Sequence, residues 1–236
     1  MKPGDSQLRD QCGAGPVPVV STTLNFLGLL GFAWLVDPRG FVVHASFLVP
    51  VLGLLSWARW SDAARSPEAS VVGCARWCSR DPMAEGWSLA TGVVLLASEL
   101  VALLDGVGRQ RPPSPPAFAI GITMMLVGIW FRREAIQALG TRFADHGGIT
   151  HGQKLERSGV YSRVRHPSEL GLLLLAFGLP CSMESGRAIV VNALVLLPVT
   201  LYRLKREETA LRAAFGQSWD EYARRIPALL PSLRWD

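Results

Sequence analysis

PPSPPAFAIGITMMLVGIWF, residues 112–131, carries no charged side chain and ends against Arg132 and Arg133. The hydrocarbon core of a bilayer takes roughly 20 largely apolar residues of helix. The stretch therefore has the length of a crossing, with two arginines at headgroup level, where basic side chains anchor a helix end. Its proline-rich start, Pro112–Pro116, reads as a stiff turn outside the membrane. The same pattern recurs upstream. Residues 11–36 are uncharged, residues 40–58 have only His44 as a titratable group, and residues 86–104 carry a single acid, Glu99. Downstream come two shorter apolar runs, 170–183 and 188–202. Only 18% of the 236 residues are charged, against the ~25% usual for soluble domains.

These runs predict an all-α fold: a polytopic membrane helix bundle of about six hydrophobic segments. The last two are expected as a short helical hairpin joined near Glu184–Gly186, followed by a C-terminal cytoplasmic amphipathic helix. Two regions are expected. Residues 1–131 read as transmembrane scaffold, and residues 132–236 carry the polar motifs. The first helix does not read as a cleavable signal, because its flank mixes Lys2 and Arg9 with Asp5 and Asp10 and its apolar run is long.

The net charge of +5 is a topology signal, with no nucleic-acid partner expected. Seven Lys/Arg lie from Arg132 to Arg165 and seven from Arg203 to Arg234. Positive loops stay cytoplasmic, which puts both termini inside and the turns at 37–39 and 109–116 outside, in a cell inner or plasma membrane. Loop 59–86, with Arg59, Arg65, Arg76 and Arg80, is then cytoplasmic too. Cys74 and Cys78 stand four residues apart with no third ligand nearby, so no metal is expected. Glu99 is either an intramembrane functional acid or a residue near the outer interface, six positions before Asp105.

The polar chemistry concentrates in GVYSRVRHPSELG, residues 159–171. Gly159 permits a tight turn. Tyr161 offers a ring and a hydroxyl, and Arg163, Arg165 and His166 set donors side by side. Pro167 suits a first helical position, which makes the pre-proline His166 an extended entry residue. A helix starting there aims backbone N–H groups at the basic cluster and favours an anion. The stretch resembles the signature of the isoprenylcysteine carboxyl methyltransferase family of membrane enzymes and of the related phospholipid methyltransferases. The likeness extends over about residues 126–231. GIWFRREAIQALG (128–140) resembles the family's helix exit. RLKREETALRAAFG (203–216), with Tyr222 and a closing proline segment, resembles its second motif of an arginine, a Glu-Glu pair four residues on, and Phe-Gly.

The resemblance implies S-adenosylmethionine as cofactor and a lipophilic small molecule or lipid as acceptor, most often a carboxylate. It assigns cofactor contacts to Lys154, Leu155, Glu156, Arg157, Tyr161, His166, Pro167, Ser168, Glu169, Glu207 and Glu208. Arg203 is expected to face the acceptor. Glu169 stands where the family usually has an aromatic. It reads either as a first-turn acid favoured by the helix dipole or as a catalytic group facing the pocket, able to take a proton from a thiol or amine. A phospholipid amine or a small thiol therefore stays open as acceptor, as does a degenerate relative that binds cofactor without turnover. A channel, transporter subunit or assembly factor accounts for the helices but leaves both motifs without a purpose. An amphipathic helix with i,i+4 charge pairs is by itself uninformative. The oligomeric state has no signature in the chain.

Overall fold

The computed structural model describes residues 18–39, 41–42, 45, 48–49, 51–56, 77–79, 84–109, 111–139, 149–150 and 154–229. Cys12, Cys74, Pro50, Trp60 and residues 145–148 and 151–153 lie outside them. The elements are α1 (Pro18–Val36), β1 (Trp77–Ser79), α2 (Ala84–Val107), α3 (Pro115–Leu139), β2 (Ile149–Thr150), a 3-10 turn (Gly159–Ser162), α4 (Pro167–Ser182), α5 (Gly186–Val191), α6 (Leu197–Phe215) and α7 (Gln217–Arg225). Residues 51–56 are also helical. The fold is helical as expected, apart from one two-stranded ribbon. β1 pairs antiparallel with β2, Trp77 opposite Thr150 and Ser79 opposite Ile149. The ribbon joins the loop before α2 to the loop after α3, two loops that charge alone assigns to one side.

Among the described residues, three helical stretches are long and apolar enough to cross a membrane: Leu89–Val107, Pro115–Leu139 and Gly186–Phe215. Leu27–Val36 and Pro167–Ser182 are shorter apolar helices. The chain is an integral membrane protein. The hairpin differs from expectation in its second arm. α5, a π-helical turn at Asn192–Leu196 and α6 run on as one stretch of 30 residues. At 1.5 Å per residue that is about 45 Å, against about 24 Å for α4. The cause is local. No glycine or mid-helix proline follows Pro198 until Gly216, whose φ of +53° stops the helix. The charged segment from Arg203 is thus an outward continuation of the last apolar helix, and α7 follows the break.

The core is built on α3 and α4, the most extensively packed helix pair. Gly121 and Gly128 on α3 meet Gly178 and Gly171 on α4, each pair seven residues apart and running antiparallel. A Cβ at Gly128 would lie 2.7 Å from the Gly171 carbonyl oxygen, and one at Gly178 would lie 2.8 Å from that of Gly121. The two backbones touch, the close approach that small residues permit in lipid, where no hydrophobic force drives helices together. Met125, fully buried, fills the space beside Gly178. Asn192 ties the long helix to α4: its Nδ2 donates to the Ala176 carbonyl at 2.6 Å.

Far from the ribbon, the α4–α5 turn is clamped by acids. Glu184, at φ +51°, accepts from the Ser114 N–H at 3.0 Å and from its hydroxyl at 2.5 Å, and pairs with Arg109 at 3.2 Å. Asp105 accepts from Ser185 Oγ at 2.5 Å and pairs with Arg187. This fixes the far end of α4 and so the position of its amino terminus, where the polar motifs collect.

Candidate functional site

The turn before α4 is shaped by its own sequence. Gly159 takes φ +56°, which only glycine adopts freely. Glu156 accepts from the Arg157 N–H, the Ser158 N–H and the Ser158 hydroxyl at 3.2, 3.1 and 2.6 Å. The chain then enters α4 through His166 at φ −123°, ψ 64°, with Pro167 at the first helical positions; His166 stays out of the helical region, as a residue before proline does, but its ψ falls short of the extended conformation expected. A late segment holds this entry. Pro227 O accepts from Arg165 N at 2.9 Å and Ala228 O from His166 N at 3.1 Å. Ile226 is extended before Pro227, which ends α7.

α7 packs on the same turn. Trp219 and Tyr222 are buried. The Tyr222 hydroxyl donates to Tyr161 O at 2.6 Å, and burial pushes its phenol up to about 12. The Arg157 guanidinium donates to Ser218 O at 2.6 Å and sits 5.9 Å from the Tyr222 ring centre. Arg165 lies 5.7 Å from the centre of Trp219, a cation–π distance.

Two ion-pair rungs cross between α4 and α6. In the outer rung the His166 ring, 4% exposed, bridges two acids: Nε2 is 3.2 Å from Glu208 Oε1, and Nδ1 is 3.8 Å from Glu207 Oε2. Arg165 also pairs with Glu208 at 3.2 Å. In the inner rung Arg203 binds Glu169. The spacing follows from helix geometry, because i,i+3 and i,i+4 side chains share a face. His166 and Glu169 are three apart, and Arg203 and Glu207 four apart. Beside them, Arg132 of α3 donates to Ser168 Oγ at 3.3 Å. At this site two buried atoms, Arg165 Nε and Glu169 Oε2, have no hydrogen-bond partner. One is a cationic donor that suits a carboxylate and the other an anionic acceptor that suits a hydrogen-bond donor, while Glu207 and Glu208 beside His166 suit an amine.

Of the site residues expected from sequence, His166, Glu207 and Glu208 come together directly, and Glu169 meets Arg203. Ser168 meets Arg132. The Tyr161 side chain packs with Val160 and Ala135 against Phe131, Ala138 and Leu139. Glu156 and Arg157 shape the turn and tie it to α7, while Lys154 is exposed and Leu155 half-buried. Sequence reasoning set Arg165 in the basic donor cluster without giving it a site role, and it missed the docking of Trp219 and the carbonyls of Pro227 and Ala228. The stripe of Trp219, Tyr222 and Ile226 before a proline was the available signal that this tail docks.

Residues 116–218 match the phospholipid methyltransferase family model. The family likeness read from the motifs is borne out. The chain is similar to protein-S-isoprenylcysteine O-methyltransferase B of Arabidopsis thaliana, 32% identical over 113 residues, 47% of this chain and 57% of that one. It is also similar to methanethiol S-methyltransferase 2 of Bradyrhizobium diazoefficiens, 32% identical over 156 residues, 59% of this chain and 58% of that one. The chain spans little more than half the length of these curated relatives. The solved structure of the eukaryotic intramembrane Ras methyltransferase, an isoprenylcysteine carboxyl methyltransferase, superposes with TM-score 0.55 at 16% identity, over 97% of this chain and 81% of that one. The two share a fold.

Proposed function

We propose that this chain is an integral membrane methyltransferase that uses S-adenosylmethionine to methylate a lipophilic acceptor. One observation carries the reading: His166, from the motif before α4, lies within 3.8 Å of both Glu207 and Glu208 from the motif on α6. Two stretches some forty residues apart thus face one space, in a segment whose family model and relatives are methyltransferases.

In this reading His166, Arg165, Glu207 and Glu208 hold the cofactor's polar groups, with Pro167 and Ser168 at the helix start and Lys154–Arg157 and Tyr161 framing the rest. Arg165 Nε suits its carboxylate, and the acids suit its amine and ribose hydroxyls. When bound, the cofactor supplies an electrophilic methyl group on a sulfonium. The protein's own contribution is alignment, which is worth several kcal/mol when two reactants are held in line. Arg203 and Glu169, one helical turn deeper, face the acceptor. Leu201 and Tyr202 beside Arg203 are 42% and 47% exposed, so an acceptor dissolved in lipid reaches that level sideways. Residues 132–236 form the catalytic region in this account and residues 1–131 its scaffold. The excess of Lys and Arg in the loops supports a cytoplasmic side for the site and both termini.

The test is methyl transfer from tritiated S-adenosylmethionine on membranes containing the chain, with lipid extracts as acceptors and mass spectrometry of the product. Label in an extractable lipid or small lipophile supports the reading. No transfer, together with no binding of S-adenosylhomocysteine, returns the chain to a non-catalytic membrane protein.

A further inference from the structure

We infer that the Glu169–Arg203 pair is a charge filter that selects a lipophilic thiol, a neutral acceptor with a proton to give, over a carboxylate. This rests on the methyltransferase reading above and deepens it. An arginine facing the acceptor would ordinarily recruit an anion. Here Arg203 is already engaged by Glu169, and the two side chains are only 19% and 13% exposed. Water and salt therefore screen the pair little. A carboxylate acceptor would have to displace Glu169 from Arg203, leaving two carboxylates to share one guanidinium. Like charges brought together in a partly desolvated site repel strongly, and a charge stripped of its partner there costs more than an exposed one.

The second observation is the unused atom. Glu169 bonds Arg203 through Oε1, while Oε2 is buried without a hydrogen-bond partner. A buried acceptor atom left open fits a donor on the incoming molecule. A carboxylate at neutral pH has no proton to offer and gains nothing from that oxygen. A thiol does. Its S–H can point at that oxygen, and the thiolate formed as the proton passes across would be held by the adjacent guanidinium. A protonated amine would be repelled by Arg203.

The acceptor's S–H bond breaks and its proton goes to Glu169 Oε2. The freed sulfur lone pair forms the new bond to the methyl carbon. The old carbon–sulfur bond of the methylsulfonium donor breaks, its electron pair staying on the departing thioether sulfur.

Binding tests this without turnover. Decanethiol and decanoate, equal in chain length, are titrated against the full chain in one detergent, read by tryptophan fluorescence. Wild type is expected to bind the thiol more tightly. Glu169→Gln frees Arg203, and the thiol-to-carboxylate affinity ratio should fall by about tenfold or more. Glu169→Asp keeps the charge and should keep the thiol preference. Adding Arg203→Gln to Glu169→Gln should abolish the gained decanoate affinity. Equal or tighter decanoate binding by wild type, a ratio unmoved by Glu169→Gln, or a switch in Glu169→Asp overturns the inference. S-adenosylhomocysteine binding on the same preparations reports separately: if wild type does not bind it, the methyltransferase reading fails, whatever the acceptor ratio.

Discussion

Adding one methyl group at Gly128 or Gly171 should loosen the α3–α4 pair that carries the site. A Cβ at Gly128 would stand 2.7 Å from the Gly171 carbonyl oxygen. One at Gly171 would stand 2.5 Å from that of Gly128 and 2.6 Å from Arg132 Cγ. Carbon–oxygen contacts between packed backbones settle at about 3.3 Å or more, so the helices must part by roughly 0.6–0.8 Å. The obstacle is backbone on both sides and cannot rotate away. Overpacking of this kind costs about 1–3 kcal/mol, which for a chain of this size lowers Tm by about 2–12 °C. Gly171 lies five residues after His166 and against the Arg132 side chain that bonds Ser168, so its substitution should also weaken binding of S-adenosylhomocysteine, whereas Gly121→Ala, near the other end of α3, should cost stability with less effect on binding. Gly92 is the control: nothing lies within 4 Å of a Cβ there, and alanine improves helix propensity by up to about 1 kcal/mol. Thermal unfolding of the purified variants in one detergent reads all four. If Gly128→Ala and Gly171→Ala melt with wild type or above it, the backbone contact is not as described.

Tyr222→Phe removes the hydroxyl that donates to Tyr161 O and should cost about 1 kcal/mol, seen as a lowered Tm. The same group sets an alkaline limit. Its pKa of about 12 stands above the ordinary 10.0 because burial disfavours the phenolate. The stabilisation is full below pH 10 and is lost as pH rises through 10 to about 12. Ultraviolet titration of phenolate should show a late component that Tyr222→Phe removes. Glu184 works in the opposite sense. Hydrogen bonds from Ser114, with Arg111 and Arg109 nearby, hold its carboxyl below the usual 4.5. Its contribution is present above that value and is lost as pH falls. Tm measured from pH 7 downward should therefore drop less steeply in Glu184→Gln, which starts lower; parallel curves would argue against the clamp.

The apolar runs made the helices legible because a bilayer imposes length and composition on any crossing. The entry through His166 and Pro167 was legible because proline restricts both residues. The long last helix was not, since an apolar run ends where the lipid ends, while backbone hydrogen bonding continues through Arg203–Glu208 until Gly216 allows a break. The ribbon of Trp77–Ser79 with Ile149–Thr150 is too short to leave a period. The grip of Pro227 and Ala228 on the His166 turn uses carbonyls that every residue possesses, so side-chain identity carries no trace of it. Glu169 drew notice as a departure from the family's aromatic. Its partner lies 34 residues on, and the pairing depends on how α4 and α6 are set against each other.

The most direct test of the account is a double-mutant cycle on nucleoside binding, measured by calorimetry of S-adenosylhomocysteine with wild type, His166→Asn, Glu207→Gln and the double variant in detergent. One shared site predicts measurable binding by wild type, weakened by each substitution, with a coupling of about 0.5 kcal/mol or more between them. Absence of binding by wild type, or losses that simply add, would contradict the claim that the two motifs close over one molecule.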